Sequence, residues 1–197
     1  MKLKFISLLT AWLLLTFVGI TPCKAVNIIP YPQSAELTDV IFNKAKINKI
    51  KYVKAKDMPA EAYELHIKKS GIVIKAADDA GRFYALQSLN QLAEEETMYC
   101  GVIKDEPRFK WRGFMLDEAR HFFGKEQVKQ VLDMMARYKL NRFHWHLSDD
   151  QAWRIEIKAF PELTSVGGIG CYSDSKAPAR FYTQDEIREI LAYAAER

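Results

Sequence analysis

The sequence predicts an α/β protein whose larger part is built on parallel strands, and three observations predict it. Between Trp111 and Ile157, two short apolar runs flank a segment with helical periodicity. Polar and ionisable residues crowd the C-terminal end of each run: Asp117, Arg120 and His121 after the first, Ser148, Asp149 and Asp150 after the second. Ahead of both, residues 26–105 alternate and turn as a small α+β unit would. Strand, loop, helix, strand, loop, with the chemistry in the loops, is the pattern of parallel α/β folds, which bind ligands at the carboxyl ends of their strands.

Residues 1–25 read as a signal peptide. Lys2 and Lys4 precede an apolar run from Phe5 to Ile20, and Cys23-Lys24-Ala25 forms a small-x-small site with the cut after Ala25. The run falls short of the roughly 20 apolar residues that a membrane span needs. The expectation is an exported protein, periplasmic or extracellular, with no integral membrane span once the signal is removed. An uncleaved anchor and a lipid anchor on Cys23 are the alternatives. Pro22 argues against the second, because a small residue usually precedes a lipidated cysteine. The mature chain keeps Cys100 and Cys171. Export permits a disulfide between them, and two separate thiols are the simpler expectation. The net charge of +4 is spread along the chain. Its densest basic stretch, Lys44 to Lys56, is interrupted by isoleucine, tyrosine and valine. That suits a solvated strand face, and no nucleic-acid partner is expected.

In residues 26–105, Tyr63, Leu65 and Ile67 alternate with polar residues, as do Ile72, Ile74 and Ala76. Lys69-Ser70-Gly71 between them marks a hairpin. Asp78 or Asp79 can cap the helix that follows, with Leu86, Leu89 and Leu92 on its apolar face and Glu94, Glu95 and Glu96 in solvent. Tyr99 to Ile103 returns as a strand. Asp105, Glu106 and Pro107 break the pattern, so the boundary falls there, with a second domain over residues 106–197.

In that second domain, Phe114 and Leu116 share one strand face, and Met115 and Asp117 share the other. In the next strand Phe143, Trp145 and Leu147 point to the helices, and His144 and His146 point inward. Val128, Val131, Leu132, Met135 and Tyr138 form the buried stripe of the intervening helix. A long loop runs from Phe160 to about Tyr182, and loops of that length are often functional. Thr183 and Glu186 form a capping box ahead of a last helix with Ile187, Ile190, Leu191 and Ala194 buried.

The residues admit several chemistries. Asp149 and Asp150 beside His146 suit a general acid–base group. His144 and His146 on one strand face suit zinc, but no third ligand has recognisable spacing. Alternatively, the histidines are satisfied inward polar residues and the acids cap a loop. The position of Arg120, three residues beyond Asp117, suits a buried arginine gripping hydroxyls or a carboxylate. Trp111, Trp145 and Trp153 are expected in the core rather than as sugar platforms.

The segments EPRFKWRGFMLDEARHFF, YKLNRFHWHLSDDQAWRIEI and FPELTSVGG resemble the opening of the catalytic barrel of family 20 glycoside hydrolases, the β-N-acetylhexosaminidases. IIPYPQS and GIVIKAADDAGRFYALQSLNQL resemble the small α+β domain that precedes that barrel, although its middle section, between about Asn43 and Ala60, is reduced. The resemblance implies an incomplete (β/α)8 TIM barrel, its first two βα units, preceded by the α+β domain. It implies removal of terminal N-acetylglucosamine or N-acetylgalactosamine from glycans with retention. In that mechanism the sugar's own acetamido oxygen attacks the anomeric carbon, outside the usual two-carboxylate scheme. It implies no metal and no cofactor. Arg120 matches the arginine of the family's LDxxRH motif and would bind the outer hydroxyls of the terminal sugar. Asp149 matches the first aspartate of the DD pair, a supporting partner of the site. Asp117, His146 and Asp150 are further candidates for its inner wall. The family's catalytic Asp-Glu pair belongs to the fourth barrel strand, and no residue here matches it. The expectation is therefore a hexosaminidase fragment or truncated product, inactive by itself. The alternatives are a non-catalytic or vestigial sugar-binding protein and a metal-dependent hydrolase built on His144 and His146.

Overall fold

The alternation at Tyr63 to Ala76 sets the first unit of the computed structural model, which describes residues 26–197. The expected signal peptide, its cleavage site and Cys23 lie outside the described residues. The strands are β1 (Ser34–Ile41), β2 (Ile50–Lys54), β3 (Tyr63–Lys68), β4 (Gly71–Ala76) and β5 (Tyr99–Asp105), with helix α1 (Asp79–Glu94) packed on β3 and β4. They form one sheet in the order β1-β5-β3-β4-β2, in which only β2 and β4 run parallel. Tyr63, Leu65, Ile67, Ile72, Ile74 and Ala76 share the face under α1 with Ala85, Leu89 and Leu92. Asp78 caps α1, its carboxylate accepting from Gly81 N–H at 2.8 Å. Gly81 lets that first turn sit on the hairpin, since a Cβ there would lie 2.4 Å from the Ala62 carbonyl oxygen. In the basic stretch, β2 is an edge strand whose residues from Lys51 to Lys54 are exposed, and Lys46 closes a turn by donating to Lys69 O at 2.9 Å.

The second unit holds β6 (Gly113–Asp117), α2 (Lys125–Arg137), β7 (Arg142–His146), the short α3 (Glu162–Ser165) and α4 (Gln184–Ala195). β6 and β7 pair in parallel, with Phe114 beside Phe143, Leu116 beside Trp145 and Asp117 beside His146. Val128, Leu132 and Met135 of α2 pack with Leu116, Phe143, Trp145 and Leu147, and with Tyr182 and Ile190. The capping box of Thr183 and Glu186 opens α4. Several expected core positions differ. Tyr138 is 39% exposed because α2 ends at Arg137 and the chain turns away through Lys139. Leu191 is 60% exposed because α4 meets α2 through Ile187, Ile190, Tyr193 and Ala194 instead. Phe114 is 42% exposed, at the start of a strand whose outer edge has no partner among the described residues.

The two units are joined by charged groups under partial cover. Lys139 Nζ donates to Asp105 Oδ2 and to Tyr63 Oη, both at 2.8 Å, and Tyr63 Oη also meets Ser88 Oγ at 2.6 Å. Burial pushes the Lys139 ammonium pKa down, with Asp105 opposing it. Arg112 donates to Glu61 Oε2 at 2.6 Å, to Tyr84 Oη at 2.9 Å and to Lys139 O at 2.7 Å. Glu61 (φ 65°) and Lys139 (φ 60°) both adopt the left-handed region, which costs a non-glycine residue roughly 1–2 kcal/mol. The strain sits where each residue hands a charged side chain across the interface. A cleft of about 590 Å³ opens here between Tyr31, Phe109 and Arg112. Cys100 in β5 and Cys171 in the loop before α4 are both free thiols.

Candidate functional site

The carboxyl ends of β6 and β7 lie side by side because the two strands pair in register to their last residues, Asp117 and His146. The chain leaves β6 through Glu118 and Ala119, whose N–H groups both donate to His146 O, at 3.0 and 3.3 Å. Arg120 follows. Its main-chain N–H donates to Asp117 Oδ1 at 3.1 Å and its Nη1 to Asp117 Oδ2 at 2.9 Å. Its Nη2 meets Asp149 Oδ2 at 3.0 Å and its Nε donates to Gln151 Oε1 at 2.7 Å. Asp149 Oδ2 also meets His146 Nε2 at 2.9 Å, so one carboxylate joins the arginine to the imidazole.

The structure therefore brings Asp117, Arg120, His146 and Asp149 into one cluster. Asp150 is exposed beside it. Its main-chain N–H donates to Asp149 Oδ1 at 2.8 Å. The sequence suggested a buried Arg120, yet its side chain is 40% exposed. The strand ends open to solvent among the described residues, and the guanidinium sits at their rim. A guanidinium carries five N–H donors. Three are engaged, leaving one on each Nη without a partner among the described residues. A planar fork with a free donor on each Nη suits two neighbouring hydroxyls.

The local electrostatics keep the acids ionised. Burial pushes the Asp117 carboxyl up, but the hydrogen bonds from Arg120 outweigh it and hold the carboxyl below its ordinary range. Asp149 is held low first by the Asp150 N–H, with Arg120 and His146 adding to it. Neither acid carries a proton to donate near neutral pH. His144 is exposed, and its ring lies parallel to that of His146 at 6.0 Å between centroids and 7° between planes. Stacked side by side, with His146 Nε2 already on Asp149, the rings do not converge on a common point. No group of three or more His, Cys, Asp or Glu suited to a metal occurs among the described residues.

Sequence reasoning missed three residues that build the site. Gln151 holds Arg120 Nε. Glu118 is fully buried beside Asp117, accepting from Tyr182 Oη at 2.7 Å and from Phe123 N–H at 2.8 Å. Burial raises its pKa against those hydrogen bonds. The Trp145 indole N–H also lies near that carboxylate and lowers its pKa, but it is buried without a hydrogen bond of proper geometry. Arg154 is 1% exposed and donates only to main-chain carbonyls. Its place between Trp153 and Ile155 was the signal that could have flagged it. Of the tryptophans, Trp145 packs on Tyr182 at 4.7 Å, as expected of a core residue. Trp111 is 73% exposed at the head of β6, with Arg142 5.5 Å from its ring, so it is not core. The interface cleft is no rival to the strand ends, because the Arg112, Glu61, Lys139 and Asp105 side chains that line it already pair with one another.

Known proteins place this geometry in context. Residues 109–197 match the profile "Glycosyl hydrolase family 20, catalytic domain", and residues 38–106 match "Glycosyl hydrolase family 20, domain 2". A beta-hexosaminidase of Porphyromonas gingivalis is 45% identical over 148 residues, covering 70% of this chain and 19% of the relative. An N,N'-diacetylchitobiase of Vibrio harveyi is 50% identical over 155 residues, covering 69% of this chain and 18% of the relative. The chain thus spans about a fifth of the length of these curated relatives. Among solved structures, a GH20 exo-β-N-acetylglucosaminidase from Vibrio harveyi in complex with N-acetylglucosamine superposes with a TM-score of 0.77 at 33% identity, over 88% of this chain and 35% of that one. A Streptomyces plicatus N-acetyl-β-hexosaminidase gives 0.76 at 31% identity, over 89% of this chain and 44% of that one.

Proposed function

This chain belongs to glycoside hydrolase family 20, with an α+β domain ahead of the first two βα units of a TIM barrel, and on that premise we propose that it is the N-terminal part of an exported β-N-acetylhexosaminidase. The complete enzyme removes terminal N-acetylglucosamine or N-acetylgalactosamine from glycans by substrate-assisted, retaining hydrolysis. The observation that carries the reading is the Arg120 fork at the paired strand ends, with two N–H donors left for sugar hydroxyls. Asp117 and Asp149 keep that guanidinium aimed, and His146 steadies Asp149. Because both acids are held ionised, neither serves as the general acid. The acid at the leaving oxygen and the carboxylate at the acetamido group come from later barrel strands, and the 197-residue chain alone is inactive. Export is supported by Lys2, Lys4 and the apolar run after them.

The ionised state of both strand-end acids favours a second reading, a non-catalytic or vestigial sugar-binding protein. One experiment separates them. The reading frame past the Arg197 codon is sequenced, and its complete product is assayed on a chromogenic N-acetylglucosaminide. The expected result is a third strand, then an Asp-Glu pair, and turnover. A stop codon after Arg197 with no turnover gives the second reading. N-terminal sequencing of secreted protein should begin within a residue or two of Val26, and intact Met1 in the cytoplasm would overturn export.

A further inference from the structure

We propose that Arg154 is the positioning residue for Arg120, fixing the main chain from which the sugar-facing guanidinium projects. The inference rests on the sugar-binding role proposed above for Arg120. Arg154 is 1% exposed, and all five of its N–H donors are engaged. Nε donates to Glu118 O at 3.1 Å, and Nη2 donates to Ala119 O at 3.3 Å and Gly170 O at 2.7 Å. Nη1 donates to Gly168 O at 2.6 Å and Arg180 O at 3.1 Å. No donor is left for a substrate, so Arg154 can act only through what it holds.

What it holds is the root of Arg120. The next carbonyl, that of Arg120 itself, accepts from Tyr172 N–H at 2.8 Å. Three consecutive carbonyls, at 118, 119 and 120, are thus gripped from the long loop side of the site. Arg154 is itself anchored, its N–H donating to Leu147 O at 2.7 Å and its carbonyl accepting from Tyr182 N–H at 2.8 Å. The chain of contact runs from the end of β7 through Arg154 to the exit of β6. Asp117, Asp149 and Gln151 orient only the head of a long, flexible side chain. A fork must be held within about 0.5 Å to meet two hydroxyls together, which requires the root to be fixed as well. An ammonium on a flexible stem has three donors and cannot reproduce a planar five-bond bridge.

The test uses the product of the complete reading frame. Thermal midpoint and kcat/KM are measured for wild type, Arg154→Lys and Arg120→Ala on an N-acetylglucosaminide and on its analogue lacking the outer 4-hydroxyl. The expected loss for Arg154→Lys is on the order of 10²-fold on the intact sugar, as for a misplaced positioning group. On the deoxy analogue it should shrink to within about threefold, because the joint grip on two hydroxyls is already broken. A merely structural role would lower both substrates alike, so equal losses, or none, overturn the proposal. If Arg154→Lys does not fold, Tyr172→Pro deletes one N–H on the Arg120 carbonyl while its side chain, 85% exposed, gives up no packing. It should show the same substrate-selective loss, and equal losses again overturn the inference. If Arg120→Ala itself lacks the selectivity, or the complete product has no activity, the role of Arg120 fails and this inference falls with it. If Arg120→Ala is selective and Arg154→Lys is not, only this inference fails.

Discussion

Arg120 gathers its partners from three places: Asp117 at the end of β6, and Asp149 and Gln151 in the loop after β7. Truncation should therefore remove both the free donors and the bridge between the strand ends. In the complete enzyme, Arg120→Ala is expected to lower kcat/KM by about 30- to 1000-fold, as loss of charged hydrogen bonds to substrate does. Arg120→Lys should recover little of it, since a point charge cannot span two hydroxyls. Unchanged kcat/KM in both variants would remove Arg120 from the site. The cluster was legible in the sequence because its members are ionisable residues at the ends of apolar strands. Arg154 was not, because its acceptors are main-chain carbonyls, which carry no sequence signature. Glu118 was hidden by its neighbour. It lies one residue past Asp117, and only the fold turns it inward toward Tyr182.

At the scale of elements, the hairpin, both helix caps and the β6–α2–β7 alternation followed from local pattern, and the faces of the helix ends did not. The partner of a helix decides which residues at the margin of its stripe are covered, which is why Tyr138 and Leu191 are exposed. The α+β sheet offers two local tests. On β3, Glu64 Oε2 lies 2.7 Å from His66 Nε2 and 3.2 Å from Lys75 Nζ, and Glu64 Oε1 lies 3.4 Å from Lys104 Nζ. The His66 hydrogen bond, opposed by burial and aided by the lysines, lowers its pKa from 4.5 to about 2. A depressed carboxylate stabilises the fold above its unfolded pKa, and that contribution is lost as pH falls through the folded value. Stability should therefore decline between pH 4.5 and about 2, and Glu64→Gln should flatten that decline in urea titrations at stepped pH. An unchanged slope would show that the carboxylate does not carry it. Gly81→Ala tests the seat of α1 on the hairpin. Its Cβ would stand 2.4 Å from a main-chain oxygen, and destabilisation of about 1–3 kcal/mol is expected from such overpacking. A urea midpoint equal to wild type would mean that the turn shifts freely.

At the scale of the whole molecule, the two units differ in how completely they are closed. The first has five strands, a helix across one face and a continuous buried cluster. The second rests on two parallel strands, and an isolated two-stranded pair is marginal in water. Trp111 at 73%, Met115 at 50% and Phe114 at 42% exposure leave both faces of β6 and the residues leading into it uncovered, beside an edge where a later strand of a barrel would lie. The interface through Lys139, Asp105, Arg112 and Glu61 ties the second unit to the first, but from the end opposite the strand-end site. Residues 26–197 expressed alone should therefore show graded protection in amide exchange. Leu65, Ile74 and Ile103 should exchange slowly, and Phe114 to Leu116 and Phe143 to Trp145 much faster. The same protein should release no product from a chromogenic N-acetylglucosaminide above an inert-protein blank, because the two strand-end carboxylates, Asp117 and Asp149, are held ionised. Turnover above the blank would place a working acid among these residues. Exchange in β6 and β7 as slow as in β3 and β4 would mean that Lys139, Arg112 and the packing of α2 and α4 suffice to hold an open barrel edge.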